Sequence, residues 1–221
     1  MRTGGSIRLW RKWPAPTILA RNDDLEFHVN TRAIHVVWIT YLTWLPGDAR
    51  GHWSPLMDFY GRLIHAGHQL NIADDGTLAT ARHLAKGPAI SLRESEVVVV
   101  ADTIAEVLRG GLTVGAVGGL PAAAWTAHAA AIETQHVHLL LAANREPIRL
   151  FVGRAKGKSS SRINAANGTS AQPIGTAGFW RGFLFDWAAV KAARDYVVNH
   201  NLRRGLPAYP FDWITPLPTE V

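Results

Sequence analysis

The chain has 221 residues, 48% of them hydrophobic, which suffices for one domain with decorations or two small ones and excludes a wholly disordered protein. Lys and Arg number 23 against 17 Asp and Glu, a net charge of +6, and this balance favours a polyanionic partner, although many basic proteins bind none. The absence of cysteine excludes disulfides, thiolate zinc sites and a cysteine nucleophile.

The hydropathy pattern does not indicate a membrane protein. No apolar run approaches the roughly 18 residues that a helix needs to span a bilayer. Residues 1–13 are basic and polar, and they lack the apolar segment of a secretory signal. We therefore expect a cytoplasmic protein without a membrane partner.

The first part of the chain predicts one strand. Residues 1–33 follow no period and are expected to form an N-terminal arm. Residues 34–43 (IHVVWITYLT) are dense in β-branched and aromatic side chains, which predicts a strand buried on both faces in its middle. Pro46-Gly47-Asp48 predicts the turn that follows, and residues 52–90 form an insert for which no regular element is predicted.

A helix is predicted next. Ser91 and Glu94 have the spacing of a capping box, and apolar residues then recur at helical spacing until Gly110-Gly111. A second insert at 110–121 is rich in glycine. It lacks the Lys-Ser/Thr pair of a P-loop, so we exclude it as a nucleotide site.

The second half of the chain predicts five elements. They are a strand at 123–132, a strand at 136–142, a helix from Pro147 to about 155, a strand at 179–185 and a helix that Asp186 caps and Gly205 ends. The Ser-, Gly- and Lys-rich residues 156–178 predict a basic flexible loop, and residues 208–221 are expected to form a tail over the surface.

The predicted order of elements is therefore β, α, β, β, α, β, α. The first six match the split βαβ plan, an antiparallel sheet with helices on one face. The predicted class is α+β, with an extra C-terminal helix and a free sheet face that can carry a site. One domain at 34–207, with inserts near 52–90 and 110–121, accounts for the whole pattern.

His136 and His138 are the first candidates for chemistry. Side chains alternate along a strand, so these two imidazoles share one face, with Cβ atoms about 7 Å apart, while Val137 points to the other face. Two imidazoles at that reach can converge on one divalent metal. The alternative is a pair of half-exposed histidines at a strand edge.

Tyr196 and His200 are the second pair of candidates. They lie four residues apart on the last predicted helix and therefore share a face. A third metal ligand beside a phenol suits phosphoryl transfer, because a metal-bound phosphate is more electrophilic and the phenolate can attack it. A tyrosine at the rim of the core is the alternative.

A set of basic residues could follow a nucleic-acid backbone. The set consists of Arg154, Lys156, Lys158, Arg162, Arg203 and Arg204. The alternative is a solvated loop for the first four and, for the last two, a favourable interaction with the C-terminal end of the helix dipole.

Three segments, in this order, resemble the HUH endonuclease superfamily, specifically the single-tyrosine transposases of insertion sequences and their REP-associated relatives. TYLTWLPGDARG (40–51) is similar to the first strand and its turn. QHVHLLLA (135–142) is similar to the His-hydrophobic-His strand that names the superfamily. FWRGFLFDWAAVKAARDYVVNHNLRRGLP (179–207) is similar to the last strand and the catalytic helix.

The resemblance implies a ferredoxin-like fold and a mechanism. Tyr196 would attack a phosphate of single-stranded or hairpin DNA, form a 5′-phosphotyrosine and release a 3′-hydroxyl. His136 and His138 would bind Mg²⁺ or Mn²⁺. The resemblance further implies a homodimer, in which the tyrosine helix of one subunit serves the other.

The chain departs from the family at the third ligand. Relatives carry Gln or Asn four residues after the tyrosine, whereas this chain carries His200, which would shift the preference towards Mn²⁺ over Mg²⁺. Gln135 also stands where relatives commonly carry Asn. These departures leave two alternatives open: a non-catalytic, domesticated DNA- or RNA-binding protein on the same fold, and a His-metal phosphoesterase that activates water.

Overall fold

A computed structural model describes residues 30–45, 75–85, 87–110, 124–169, 172, 174–176 and 178–218. Four features expected from the sequence lie outside these ranges. They are most of the N-terminal arm, the turn at 46–48, most of the insert at 52–90 and the glycine-rich residues 111–121.

The described residues contain four strands and four helices. The strands are β1 (Ala33–Ile39), β2 (Ala127–Ile132), β3 (His136–Ala142) and β4 (Trp180–Leu184). The helices are α1 (Asp75–His83), α2 (Glu94–Leu108), α3 (Ile148–Ala166) and α4 (Trp187–Arg203). None of these helices has the length and apolar content that crossing a bilayer requires.

The strands form one sheet in the order β2-β3-β1-β4, and every neighbouring pair is antiparallel. Helix α2 lies between β1 and β2 in the chain, but in the sheet β3 lies between these two strands. In the same way, α3 connects β3 to β4, and β1 lies between those strands in the sheet. This is the split βαβ arrangement of a ferredoxin-like fold. The α+β class and the antiparallel sheet are therefore confirmed.

One face of the sheet packs against α2 and α3. Residues of β1 and β3 that point to this side are fully or almost fully buried, and they form one core with apolar residues of the two helices. These sheet residues are Ile34, Val36, Trp38, Val137, Leu139 and Leu141. Because side chains alternate along each strand, the residues between them point to the opposite face.

The prediction of a flexible loop at 156–178 is wrong over its first half, because α3 continues to Ala166. Ala155, Ser159 and Ile163 are buried at a spacing of four residues, and Arg162 forms an ion pair with Glu106 of α2. Tertiary packing of one helical face therefore outweighs the low helix propensity of the Ser and Gly residues in this segment.

Helix α1 lies in the insert at 52–90, where no element was predicted. Most of its described side chains are exposed. The helix therefore lacks the apolar stripe by which the sequence could have indicated it. Asp75 in the first turn and Arg82 and His83 in the last turn have the charges that the helix dipole favours.

The capping box of α2 is shifted from its predicted position at Ser91 and Glu94. Arg93 is the N-cap residue, and its backbone N–H donates to Glu96 Oε2 at 2.8 Å. Burial alone would raise the pKa of Glu96, but hydrogen bonds from Arg93 and Asn167 outweigh it and hold that pKa below the usual value. Glu94 has the right residue type, but its side chain is largely exposed.

We expect Glu96→Gln to lower the free energy of unfolding by about 1 kcal/mol at neutral pH, because the amide oxygen can still accept the Arg93 N–H but the charge that strengthens the bonds from Arg93 and Asn167 is lost. Because the folded-state pKa is depressed, the contribution of Glu96 is complete above the unfolded-state pKa and is lost as the pH falls through the folded-state pKa. Urea unfolding at neutral and successively lower pH measures this, and the variant should converge on the unsubstituted protein in acid. Glu94→Gln, which removes an exposed charge from the same turn, is the matched control.

The C-terminal tail is part of the fold rather than a surface segment only. Ile214 forms a parallel bridge with Ala127, and the N–H of Thr215 donates to the Ala127 carbonyl at 2.8 Å. Ile214 and Leu217 are each 8% exposed. The tail therefore packs against the sheet beside β2, although its prolines had suggested a surface segment.

Candidate functional site

The face of the sheet opposite α2 and α3 carries the candidate site. His136 and His138 of β3 point to this face, as their alternation predicts, and the register places His138 opposite Val37 of β1 and Ala131 of β2. His138 is 4% exposed and His136 is half-buried. The small Ala131 side chain leaves room above the sheet for a helix.

Helix α4 covers this face. Asp186 caps it by accepting a hydrogen bond from the Ala189 N–H at 2.7 Å. Val190, Ala193 and Val197 are fully buried against the sheet. This apolar stripe fixes the rotation of the helix, so that its next row of side chains, which contains Tyr196 and His200, lies over the histidines of β3.

The structure brings His136, His138 and His200 into one cluster. One ring nitrogen from each lies within 4.8 Å of the other two. Imidazole nitrogens bind divalent metals at about 2.0–2.1 Å, so two ligands of one ion are at most about 4.2 Å apart. Small side-chain rotations therefore suffice for all three nitrogens to reach one ion.

Two further observations support the binding of a divalent metal by these three histidines. His200 Nε2 is shielded from solvent and has no hydrogen-bond partner among the described residues. Burial, together with the charges of the neighbouring histidines, holds the pKa of His138 well below its usual value, so this ring is neutral and keeps a lone pair for a metal.

Glu133 belongs to the site, and the sequence reasoning missed it. Its Oε1 lies 2.6 Å from His200 Nδ1 and its Oε2 lies 3.2 Å from His136 Nε2. Burial opposes ionisation, but hydrogen bonds from His136 and His200 hold the pKa of Glu133 far below its usual value. Its position three residues before His136 was the available signal, but only the turn between β2 and β3 brings the carboxylate back to the rings.

His35 of β1 was also missed. Its ring stacks on His138 with centroids 5.6 Å apart, and its Nε2 lies 3.4 Å from His138 Nδ1. Burial, with a smaller contribution from His200, lowers the pKa of His35 to about 3, so the ring is neutral. Within the apolar run of β1 this histidine could have been recognised as unusual, but its contact depends on a register that only the folded sheet defines.

Tyr196 lies beside the histidine cluster of its own chain. Its ring centroid is 4.8 Å from that of His200 and 5.4 Å from that of His138. The hydroxyl oxygen is shielded from solvent. Burial raises the pKa of Tyr196 well above its usual value; the positive charge of Arg203 opposes this shift, and the carboxylate of Glu133 adds to it.

The six basic candidates do not form one surface. Arg154, Lys156, Lys158 and Arg162 lie on α3, which packs against the opposite face of the sheet, whereas Arg203 and Arg204 lie at the end of α4. Three of the four on α3 are engaged within the chain. Arg154 pairs with Glu146, Lys156 donates to the carbonyls of Thr176 and Gly178, and Arg162 pairs with Glu106.

The two arginines of α4 differ from one another. Arg204 donates to the Ile132 carbonyl at 2.7 Å and therefore helps to attach the end of the helix to β2. Arg203 is exposed, and its charge reaches Tyr196. Lys158 is exposed as well, but on the other side of the sheet. Arg203 is thus the candidate that combines exposure with a place next to the cluster.

Comparison with known proteins found no matching family model and no matching curated protein. Matching solved structures include a REP-associated tyrosine transposase bound to a REP hairpin, with 10% identity and a TM-score of 0.41 over 85% of this chain and 74% of that chain. Another is a "putative transposase" of Deinococcus radiodurans R1, with 15% identity and a TM-score of 0.33 over 78% of this chain and 93% of that chain. The strand carrying His136 and His138, with His200 beside it, fits the HUH motif that the sequence resembles.

Proposed function

We propose that this chain is a metal-dependent transesterase of single-stranded DNA that cleaves and transfers strands through a 5′-phosphotyrosine. The observation that carries the proposal is the contact of Tyr196 with His138 and His200 in one chain. The ring of a candidate nucleophile is thus in contact with the rings of two candidate metal ligands. The positive net charge is consistent with a DNA partner.

The reaction exchanges one phosphate ester for another. The Tyr196 oxygen forms a bond to phosphorus while the bond between phosphorus and the 3′-oxygen breaks, and the proton that the phenol loses is balanced by the one that the 3′-oxygen gains. A divalent ion held by His136, His138 and His200 would supply Lewis-acid polarisation of the scissile phosphate. Because an ester bond is conserved in the enzyme, a 3′-hydroxyl can attack the phosphotyrosine and join a strand.

The metal is proposed to be Mn²⁺ or Mg²⁺. Three imidazoles form a softer donor set than the oxygen ligands that Mg²⁺ prefers, so we expect Mn²⁺ to bind more tightly. A homodimer, which the resemblance implies, is not needed to bring the tyrosine to the histidines, since one chain contains both.

The test is incubation with hairpin-bearing single-stranded DNA and Mn²⁺ or Mg²⁺, followed by a denaturing gel. The proposal expects a covalent protein–DNA adduct that requires the metal and disappears with a chelator. Cleavage without an adduct would indicate a water-activating phosphoesterase. Salt-sensitive binding with neither cleavage nor adduct would indicate a non-catalytic DNA- or RNA-binding protein.

The phosphoesterase is a second candidate, because one observation favours it. The Tyr196 hydroxyl is shielded from solvent and its pKa is raised, so the phenol is a weak nucleophile unless bound substrate or metal changes its surroundings. In this alternative His136, His138 and His200 would hold a metal that activates water, and Tyr196 would only pack beside them.

Nucleic acid is proposed to approach the site along the end of α4. We expect Arg203→Ala to weaken binding of single-stranded DNA and to reduce the slope of log affinity against log salt by about 0.7, the value for one lost phosphate contact. Fluorescence anisotropy over a salt series measures both quantities. Lys158→Ala removes an exposed charge from the opposite side of the molecule and should change the slope less. Equal effects of the two substitutions would contradict this path.

A further inference from the structure

Glu133 connects the candidate metal ligands to a rigid turn. The turn between β2 and β3 is closed by the Glu133 N–H, which donates to the His136 carbonyl at 2.8 Å. Neighbouring segments hold the same turn, since the N–H of Thr40 donates to the Gln135 carbonyl at 2.8 Å and the N–H of Leu92 donates to the Thr134 carbonyl at 2.7 Å. The turn that carries the Glu133 carboxylate is therefore held by these three backbone hydrogen bonds.

The carboxylate determines which ring nitrogen of His200 carries a proton. An ionised glutamate has only acceptors, so a hydrogen bond of 2.6 Å between Glu133 Oε1 and His200 Nδ1 requires the proton on Nδ1. In the neutral form of the ring, the other nitrogen, Nε2, is then the acceptor. This is the buried nitrogen that has no hydrogen-bond partner among the described residues.

We infer that Glu133 is a positioning residue that holds His200 in the Nδ1-protonated tautomer and thereby presents its Nε2 lone pair to a divalent metal. The inference rests on the metal site of the proposed function. A carboxylate behind a histidine ligand is a general device for fixing tautomer and ring orientation and for raising the basicity of the ligand. The second oxygen, 3.2 Å from His136 Nε2, lets the same carboxylate hold a second ring of the cluster.

The helix alone does not orient His200. Its Cα position is set by the apolar stripe of α4, but rotation about its side-chain bonds is limited mainly by the ring contacts with His138 and Tyr196 and by the hydrogen bond to Glu133. Without the carboxylate, either nitrogen could be protonated and the ring could turn over, so that a metal would bind only part of the population. The expected result is a weaker site in an otherwise folded protein.

The first measurement is the tautomer of His200 in the metal-free protein, by long-range ¹H–¹⁵N NMR of the imidazole nitrogens. The expected spectrum shows a protonated Nδ1 and an unprotonated Nε2. Glu133→Ala should mix the two tautomers, while Glu133→Gln, whose amide oxygen can still accept the hydrogen bond, should retain more of the original one. An Nε2-protonated His200 in the unsubstituted protein would overturn the inference.

The second measurement is the dissociation constant for Mn²⁺ alone, by isothermal titration calorimetry of the full chain. We expect Glu133→Ala to weaken binding by about 10- to 100-fold, the usual effect of losing a partner behind a ligand, and Glu133→Gln to weaken it less. Glu146→Gln is the matched control, since Glu146 is also a largely buried carboxylate with two side-chain partners, Trp125 and Arg154, but it does not contact the histidines.

The outcomes separate the inference from the proposed function. Unchanged Mn²⁺ affinity in Glu133→Ala would overturn the inference alone. Absence of Mn²⁺ binding by the unsubstituted protein would overturn the metal site of the proposed function, while the tautomer measurement still decides whether Glu133 orients His200. Glu133-dependent Mn²⁺ binding without a covalent DNA adduct would support the inference and contradict the transesterase.

Discussion

Replacing Tyr196 by Phe is expected to abolish the covalent protein–DNA adduct while leaving the fold and the metal site intact. The substitution removes one hydroxyl and keeps the ring that packs against His138 and His200. Without a phenolic oxygen no phosphotyrosine can form, so the adduct should fall to background rather than by a modest factor. A denaturing gel with labelled hairpin-bearing single-stranded DNA and Mn²⁺ measures the adduct.

The controls for this substitution separate three explanations. Tyr209→Phe is the control substitution and should leave the adduct unchanged. Tyr209 is half-buried and packs against the core between the sheet and helices α2 and α3, away from the histidine cluster. An adduct that persists in Tyr196→Phe would show that the nucleophile is another residue. If the unsubstituted protein and Tyr196→Phe both cleave DNA without forming an adduct, the phosphoesterase would be favoured, because activated water needs no phenol.

Replacing His200 by Ala is expected to weaken Mn²⁺ binding by at least about 100-fold. Loss of a residue that only hydrogen-bonds to a metal ligand costs up to about that factor, and loss of a ligand itself should cost no less. The residue supplies one of the three nitrogens of the cluster and is also attached to Glu133. Isothermal titration calorimetry with Mn²⁺ and then with Mg²⁺ measures the loss. Undiminished affinity would show that His200 is not a ligand.

A comparison of His200→Gln with His200→Ala tests the chemistry of the third ligand. An amide oxygen is a harder donor than imidazole, so Gln should restore part of the binding and raise the affinity for Mg²⁺ relative to Mn²⁺. His128→Ala is the matched control, since His128 is a half-buried histidine that contacts the Thr215 carbonyl of the tail rather than the cluster. Equal metal preference in the unsubstituted protein and His200→Gln would contradict a direct role in the choice of metal.

The strands and the last helix could be predicted because their signals are local. A dense β-branched run predicts β1, alternation predicts the shared face of His136 and His138, and an N-cap aspartate with a closing glycine predicts the bounds of α4. The strand order then followed from the order of elements, since the split βαβ plan is one of few ways to bury these faces.

The errors arose where packing outweighed local preference. Ser- and Gly-rich residues of α3 are helical because Ala155, Ser159 and Ile163 are buried. The cap of α2 begins two residues later than its motif, since Glu96 rather than Glu94 reaches back to the helix start. Neither outcome is determined by composition or spacing, because both depend on which neighbouring surface covers the segment.

The amino-acid sequence by itself determined that two histidines share a strand face and that Tyr196 and His200 share a helix face, because the periods of 2 and 3.6 residues are properties of the backbone. Only the tertiary structure decided that these two faces meet within one chain. It also decided that Glu133 and His35 join the cluster and that Arg203 is an exposed cation beside it. These contacts depend on strand register, on a turn and on the rotation of α4, which are set by long-range packing.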